Sequence, residues 1–578
     1  MGCEVAPKAP SPKPSSSPWA AFEYVQGYTI SEGVGGLKGT QVGSVFRDKL
    51  KALVEAGKFS PRDAGYLIDG VSKGFDLGLD ESMMKGKRVF RNYPTAYEAK
   101  EKVSDALRAR VEAGKTLKLG AFDGDASKLP GECATVVPMG AVAKKLEPDK
   151  VRPFSDHTRT CLNAAARDRI EHTLDTYDEI AKELKPGYFA RIEDVDAAFP
   201  VLPLHPRVWN HMLIWWYDVD RPLEDQPEGP NTLYSHVFAD FGTAPLPGIW
   251  DLFWKAIKAM AEHDGVLTLP MPHFVDDNTL IGPSEEEVNR VGEELSDYVE
   301  ALGVPFKRLK TRKAADRQLV LGFWWDSVLR TRSLEEGKLE IYIDFLLEMA
   351  SKRVLTLAEL RVLIGRMHRA SLTMPSGSKA FLGSVLKMLR GLRLPHHRRR
   401  MTKMARRDIL KLVEILRSNH GQGYFDTSHL PWADPIWTDA MKDPSSAGWG
   451  WCCGDGQYDR GWYHGNKQRR WIDELEGDAV ERAMTALGHK CANKRVPIYI
   501  DNSAFQLSLK KGWSHAERLT EIIKNLYSLS VEHNCVLVPI WISTHDNIGA
   551  DALSRGDMER FKSWASMHLE NEPRQYCR

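Results

Sequence analysis

His273-Phe274-Val275-Asp276-Asp277-Asn278-Thr279-Leu280-Ile281 sets two adjacent carboxylates between two short, apolar, strand-like runs. On a β-hairpin this pattern puts the acids at the turn. Burial and mutual repulsion both oppose ionisation of such a pair, so it must be exposed, hydrogen-bonded or holding a cation. On its own Val-Asp-Asp is more often an exposed Asp-rich turn, and its reading depends on what else the chain carries. Upstream, Ile192-Glu193-Asp194-Val195-Asp196-Ala197-Ala198-Phe199-Pro200 ends a short strand on an acid, followed by small residues and an aromatic ring.

The 578 residues far exceed one domain of roughly 100–200 residues, so roughly three to five packed units are expected. A hydrophobic content of 42% and a charged content of 27% belong to an ordinary globular chain. No run approaches the roughly 20 apolar residues that span a bilayer, and the first residues lack the apolar core of a signal peptide. Met1-Gly2-Cys3 is followed by Ala6 where an acylation motif wants Ser or Thr. These features predict an intracellular protein, cytoplasmic or nuclear and not secreted, with no membrane partner. The eight cysteines form neither a metal-ligand spacing nor a disulfide framework. Net charge is only +1, but Lys307, Arg308, Lys310, Arg312 and Lys313 form one basic cluster and His396 to Arg407 a denser one. Either could follow a phosphate backbone or be a solvated face.

Composition and periodicity predict a multidomain α+β and α/β chain. Residues 1–18 read as a disordered Pro/Ser-rich tail and 19–115 as a helical N-terminal region. Strands and helices alternate over 116–325, amphipathic helices and the basic segment fill 326–430, and 561–578 reads as a C-terminal tail. Within 431–560, three strands (PIWTDA, AGWGWCC, GWYHG) precede a helix over 472–487, a strand (VPIYIDN), a helix over 514–529, a strand (CVLVPIWIS) and a helix near Ala550. That order predicts one mixed α/β sheet.

The two acid stretches together resemble motifs A and C of the reverse transcriptase family, with Asp194, Ala198 and Phe199 matching motif A. The resemblance implies that Asp194 and Asp276 bind both catalytic ions, that Asp277 completes the set, and that Phe199 is the steric gate against a ribose 2′-hydroxyl. Phe241-Gly242-Thr243-Ala244-Pro245-Leu246-Pro247-Gly248-Ile249-Trp250 resembles motif B, matching at Gly242, Pro247 and Gly248 and departing at Thr243, Leu246, Trp250 and the preceding Asp240. Pro138 to Lys145 and Val151-Arg152-Pro153-Phe154 resemble the fingers segment, which makes Arg152 and one of Lys144 and Lys145 candidate triphosphate contacts. Lys310 stands where motif D places a general acid, with Lys313 its rival.

Toward the other end, Asp439, Glu476, Asp501 and Asp551 fall in strand, helix, strand, helix order in contexts that resemble the RNase H family. His545 is a further candidate near the leaving group. The implied architecture is a right-hand polymerase of fingers, palm and thumb, then a helical connection and an RNase H-like mixed α/β domain. The implied activity is RNA-directed DNA polymerisation plus hydrolysis of RNA in a hybrid, with two Mg²⁺ ions per active site, Mn²⁺ substituting. Gly70-Val71-Ser72-Lys73-Gly74-Phe75, PMGAVAKK, VRPFSDHTRTCLNAA, FPVLPLHP and ADALSR look most like DIRS-type retrotransposons among LTR-type retroelements. Implied partners are an RNA template, a DNA primer, the RNA–DNA hybrid and dNTPs, with a recombinase or capsid protein of the same element as further candidates. The alternative is a domesticated or decayed element product that binds nucleic acid as a scaffold. Loss of catalysis should erode metal ligands early, and all seven carboxylates stand.

Overall fold

The computed structural model describes residues 39–143, 150–168, 170–173, 176–196, 198–374, 378–569 and 571–576. The predicted tail over 1–18 lies outside them. The chain divides into two units, Met1–Ala315 and Asp316–Arg578, both mixing helices with several sheets.

The first unit opens with the helices Gly39–Glu55 and Pro61–Lys73. Phe46, Leu50 and Leu53 recur at helical spacing and are fully buried, with Phe46 stacked on Phe253 of the Leu246–His263 helix at 5.3 Å. That last helix is apolar around most of its circumference, as a helix inside a core must be; Trp250, Phe253, Trp254 and Ile257 are all wholly buried. Two stretches far apart in sequence meet beside it. Phe75 bridges Leu204, its N–H donating to Pro203 O at 2.9 Å while His205 N donates to Phe75 O at 3.0 Å. Gly70 and Gly74 permit this approach, since a Cβ would lie 2.1 Å from the Phe75 ring and 2.4 Å from His205 N respectively. A five-stranded sheet runs Lys87–Val89, Ala134–Val136, Leu213–Trp216, Thr232–His236, Thr116–Ala121. A four-stranded sheet runs Arg312–Ala315, Phe189–Asp194, Asp277–Gly282, His273–Phe274, and carries the first acid stretches.

The second unit starts earlier than the sequence suggests. Arg317–Val320 pairs with Phe323–Asp326, which continues through Thr331–Leu334 to Gln422–Tyr424, so the expected boundary after 325 falls inside a strand. The basic segment is not one free helical face. Arg398–Arg400 is a strand paired with Val354–Thr356, Arg399 donates to Met388 O at 3.3 Å, and Arg406 donates to Ala350 O and Lys352 O at 2.8 and 3.2 Å. These guanidiniums satisfy carbonyls that the ends of helices leave open. Nearby, Lys524 and Asp408, both buried, form a 2.7 Å ion pair between the helices Lys403–Ser418 and Glu517–Glu532.

The six-stranded sheet runs Val536–Trp541, Arg495–Ile500, Ile436–Lys442, Ala447–Cys453, Gln457–Trp462, Arg574–Gln575. The three antiparallel strands and the two added in parallel match the predicted mixed sheet. The predicted helix over 514–529 runs Glu517–Glu532, because Ser514 is held in a turn, its Oγ accepting from Ala516 N at 3.2 Å. The stretch read as a tail is structured. Met558–His568 is a helix that buries Phe561 and Trp564, 4.7 Å from Tyr458 and 5.4 Å from Trp437, and Arg574–Gln575 adds a parallel strand.

Two glycines set how closely the Ile548–Arg555 helix lies on this sheet. A Cβ on Gly448 would lie 2.0 Å from Ser554 O, and one on Gly450 2.4 Å from Leu553 Cβ. Gly448→Ala is therefore expected to lower the urea midpoint of the second unit by about 1–3 kcal/mol equivalent. Gly365→Ala, at an exposed helical position with open space around it, should raise it by about 0.5–1 kcal/mol. Equal effects in unfolding curves would show that this packing is not what fixes the helix.

Candidate active sites

In the first unit strand register sets the acids. Phe189–Asp194 pairs antiparallel with Asp277–Gly282, which places Asp277 across from Asp194 on one side and from Phe274 on the other. Val275 and Asp276 make the turn, with Val275 at φ 56°, a conformation that is costly for a β-branched residue. The Leu246–His263 helix braces it. Trp250 Nε1 donates to Val275 O at 2.7 Å, Trp254 Nε1 donates to Asn278 Oδ1 at 2.7 Å, and Asn278 Nδ2 donates to Asp276 O at 3.2 Å. His273 and Asp251 of the same helix meet at 2.9 Å. Lys310 Nζ lies 3.0 Å from Asp194 Oδ2.

These groups line a cleft of about 730 Å³ that includes Asp194, Asp276, Arg152, Phe241, Lys307 and Lys310. The Arg152 guanidinium lies over the Phe241 ring at 5.2 Å, a cation–π contact, and Phe241 meets Phe199 edge-on at 5.4 Å. Gly242, at φ +108°, runs so close to the neighbouring strand that a Cβ would lie 2.4 Å from Ser155 O. Asn163 pins the same loop, donating to Gly242 O at 2.9 Å and accepting from Ala244 N at 2.8 Å. Asp240, the departure from motif B, is built in. Burial pushes its carboxyl upward, but His236, Arg110 and the Ser155 hydroxyl, donating at 2.6 Å, together hold it below the usual range.

In the second unit the parallel pairing of Thr438 with Ile500 brings Asp439 and Asp501 to the same end of the sheet. The Ile472–Leu487 helix adds Glu476. Ligand oxygens of Asp439, Glu476 and Asp501 lie within 4.8 Å of one another. Together with Asp551, Asn502, Thr544 and Arg555 they line an open pocket of about 340 Å³. Ser554 Oγ donates to Asp439. Both oxygens of Asp551 are engaged, Oδ1 by Arg555 Nε and Oδ2 by Arg560 Nη1, each at 2.6 Å.

Burial dominates the electrostatics of both clusters, with like charge adding to it. It pushes Asp277 up to about 6, helped by Asp276 and Asp194, and raises Asp276. In the second cluster it pushes Asp439 up to about 7 and raises Asp501 and, further, Glu476, whose neighbours Asp439 and Asp501 add to the effect. Glu476 Oε2 is buried with no hydrogen-bond partner. An all-oxygen donor set with an unpartnered buried oxygen suits a hard divalent cation such as Mg²⁺, and the carboxylates of the first unit offer the same chemistry.

Of the residues singled out in the sequence, the structure brings Asp194, Asp276, Arg152 and Lys310 to one cleft, with Asp277, Phe199 and Gly242 beside it, and the four C-terminal acids to one pocket. Lys144 and Lys145 lie outside the described residues. Lys310 rather than Lys313 faces Asp194. His545 is exposed and its neighbour Thr544 lines the pocket instead. Sequence reasoning missed Phe241, Arg555 and Arg560. Phe241 stood inside the motif B stretch, and Arg555 ends the ADALSR stretch at i+4 from Asp551, a spacing that predicts a helical ion pair. Arg560 belongs to the helix taken for a tail.

A carboxyl whose pKa is raised by folding contributes stability that is fully present below its unfolded value and is lost as pH rises through the folded one. For Asp439 that window runs from about 4 to about 7. In EDTA, Asp439→Asn is therefore expected to raise Tm by several degrees at pH 8 and by little at pH 4. A pH-independent effect in melting curves would contradict the buried, like-charged environment.

A scan against protein-family models finds no match, and a search of curated proteins finds none. Solved structures to which the chain is similar include the foamy viral protease-reverse transcriptase in complex with RNA/DNA hybrid, at 14% identity over 86% of this chain and 63% of that one, with a TM-score of 0.45. Others are the same protein in complex with dsDNA, at 14% identity over 86% of this chain and 97% of that one, and its dRH form with ds DNA, at 14% over 86% and 82%, both with a TM-score of 0.44.

Proposed function

We propose that the chain is an RNA-directed DNA polymerase with ribonuclease H activity, of the LTR-type retroelement class. The observation that carries this reading is the register that sets Asp194 against Asp277 on a hairpin with Asp276 at its turn, in a cleft shared with Arg152 and Lys310. In this reading the hairpin sheet is the palm, the strands around Arg152 the fingers, the helices after Lys338 the thumb and connection, and the six-stranded sheet the RNase H-like domain. The DIRS-like assignment rests on sequence motifs alone.

Divalent ions, Mg²⁺ or Mn²⁺, held by Asp194, Asp276 and Asp277 in one site and by Asp439, Glu476, Asp501 and Asp551 in the other, would activate the attacking oxygen and stabilise the leaving one. The chain's own residues do the rest. Arg152 supplies a planar donor fork to triphosphate oxygens, and its stacking on Phe241 fixes the fork's plane. Lys310 stands beside Asp194 with a proton to give to the departing pyrophosphate. Phe199, held edge-on by Phe241, offers a rigid wall to the sugar, and Gly242 lets backbone approach the nascent pair. In the nuclease site Ser554 and Thr544 orient Asp439 and Asp501.

Primer extension on an RNA template with Mg²⁺ is expected from the wild-type chain and reduced by roughly 10³-fold or more in Asp276→Asn/Asp277→Asn. No extension by the wild type, or equal extension by both, overturns the polymerase reading. Glu476→Gln should abolish cleavage of RNA in a hybrid and leave extension largely intact; joint loss would refute independent sites. Phe199→Ala should admit ribonucleotides, seen as a fall in the dNTP-to-rNTP ratio of kcat/KM, and an unchanged ratio rejects the gate.

A further inference from the structure

Asp551 differs from the other three acids of its pocket. Its two oxygens are each bonded at 2.6 Å by a different guanidinium, Arg555 four residues on along its helix and Arg560 from the next helix. Gly556, in the left-handed conformation at φ +78°, turns the chain so that the first turn of Met558–His568 folds back and Arg560 reaches the carboxylate. Asp551 is buried, while the Arg555 and Arg560 side chains keep 50% and 44% of their surface exposed. Arg555 thus lines the pocket beside Asp551, and Arg560 reaches the same carboxylate from the next helix with its own surface open to solvent.

A carboxylate and a phosphodiester present the same feature to arginine, two anionic oxygens that accept from planar N–H donors. We propose that Arg555 and Arg560 form a binding subsite for a backbone phosphate of the hybrid, and that Asp551 occupies it as an internal substitute. This rests on the nuclease reading above. Asp551 is not among the acids whose oxygens lie within 4.8 Å of one another, so rotating one of its oxygens toward a cation held with Asp439 draws the carboxylate away from at least one guanidinium. That leaves donors without a counter-charge at the place where a nucleic-acid strand arrives. Cation entry and phosphate entry each favour the same released position of Asp551, and the two must help each other reciprocally. Arg555 and Arg560 are positioning residues for Asp551 and contacts for the strand.

The test uses the full chain bearing Asp276→Asn/Asp277→Asn, so that bound Mn²⁺, counted by electron paramagnetic resonance, reports on the second site. The probe is a hybrid whose RNA strand carries 2′-O-methyl groups and resists cleavage, its binding followed by fluorescence anisotropy. In the parent, Mn²⁺ should tighten hybrid binding and hybrid should tighten Mn²⁺ binding by the same factor, about fivefold or more. Arg560→Gln should bind Mn²⁺ more tightly without hybrid, bind hybrid more weakly, and lose most of the mutual factor. Arg560→Lys, which keeps the charge but not the planar fork, should fall between. Unchanged affinities and an unchanged factor in both variants, or weaker Mn²⁺ binding in Arg560→Gln, overturn the proposal. Mn²⁺ binding in the parent that Glu476→Gln abolishes keeps the nuclease reading standing in that event, whereas a parent that binds no Mn²⁺ at this site overturns both.

Discussion

Asp277 lies directly across a strand pair from Asp194, and the first unit is organised around holding two acids in a register that like charge resists. A one-residue slip would turn every side chain of Asp277–Gly282 to the opposite face; both faces are buried, so Leu280 and Ile281 would each enter packing shaped for the other and Asn278 would lose its bond to Trp254. Register is thus locked by apolar burial, and the repulsion is carried as a local cost. The turn carries more of it, in a β-branched residue at positive φ. What offsets these costs is the Leu246–His263 helix, whose Trp250 and Trp254 indoles and Asp251 carboxylate each bond the hairpin.

Behind Asp194 a second constraint fixes the strand. Arg191, fully buried, donates to Glu193 at 2.6 Å and to Glu293 at 2.8 Å, and Thr311 donates to the other Glu193 oxygen at 2.6 Å. Gly292 leaves the space that Arg191 fills, since a Cβ there would lie 2.4 Å from Arg191 Nε. A buried ion pair of this kind adds little net stability, but removing one partner strands the other. Its consequence is geometric: strand, helix Glu285–Ala301 and the segment bearing Lys310 are tied to one another one residue away from Asp194.

The acid clusters were legible because each depends on short local patterns: an acid ending an apolar strand, or an acid on a helix after it. Strand order and the mixed sheet followed from the same periodicity. What was not legible depended on contacts distant in sequence. Phe561 and Trp564 read as tail residues until Tyr458 and Trp437 are beside them. Arg399 and Arg406 read as free basic charge, because nothing local announces that their partners are carbonyls at residues 350, 352 and 388. Asp240 reads as a departure from motif B, and only folding brings Ser155, His236 and Arg110 around it. The boundary expected after 325 falls inside the strand Phe323–Asp326 for a similar reason: the partner of Thr331–Leu334 lies at Gln422–Tyr424, beyond four α-helices.

The two clusters share a charge logic. In each, one acid is ion-paired by the chain's own cations, Asp194 by Lys310 and Asp551 by Arg555 and Arg560. The remaining acids, Asp276 and Asp277 in one and Asp439, Glu476 and Asp501 in the other, have no ion pair among the described residues, and these are the carboxyls that burial drives upward. A site meant only to be stable would pair or delete them, since unpaired buried acids lower stability at neutral pH. Neutralising every acid internally would leave nothing to hold a divalent ion. Pairing one acid limits the repulsion that folding must overcome, while the unpaired ones keep the field that draws a cation. On the proposed reading, the partial pairing, more than the number of acids, is what suits both clusters to an exchangeable positive charge.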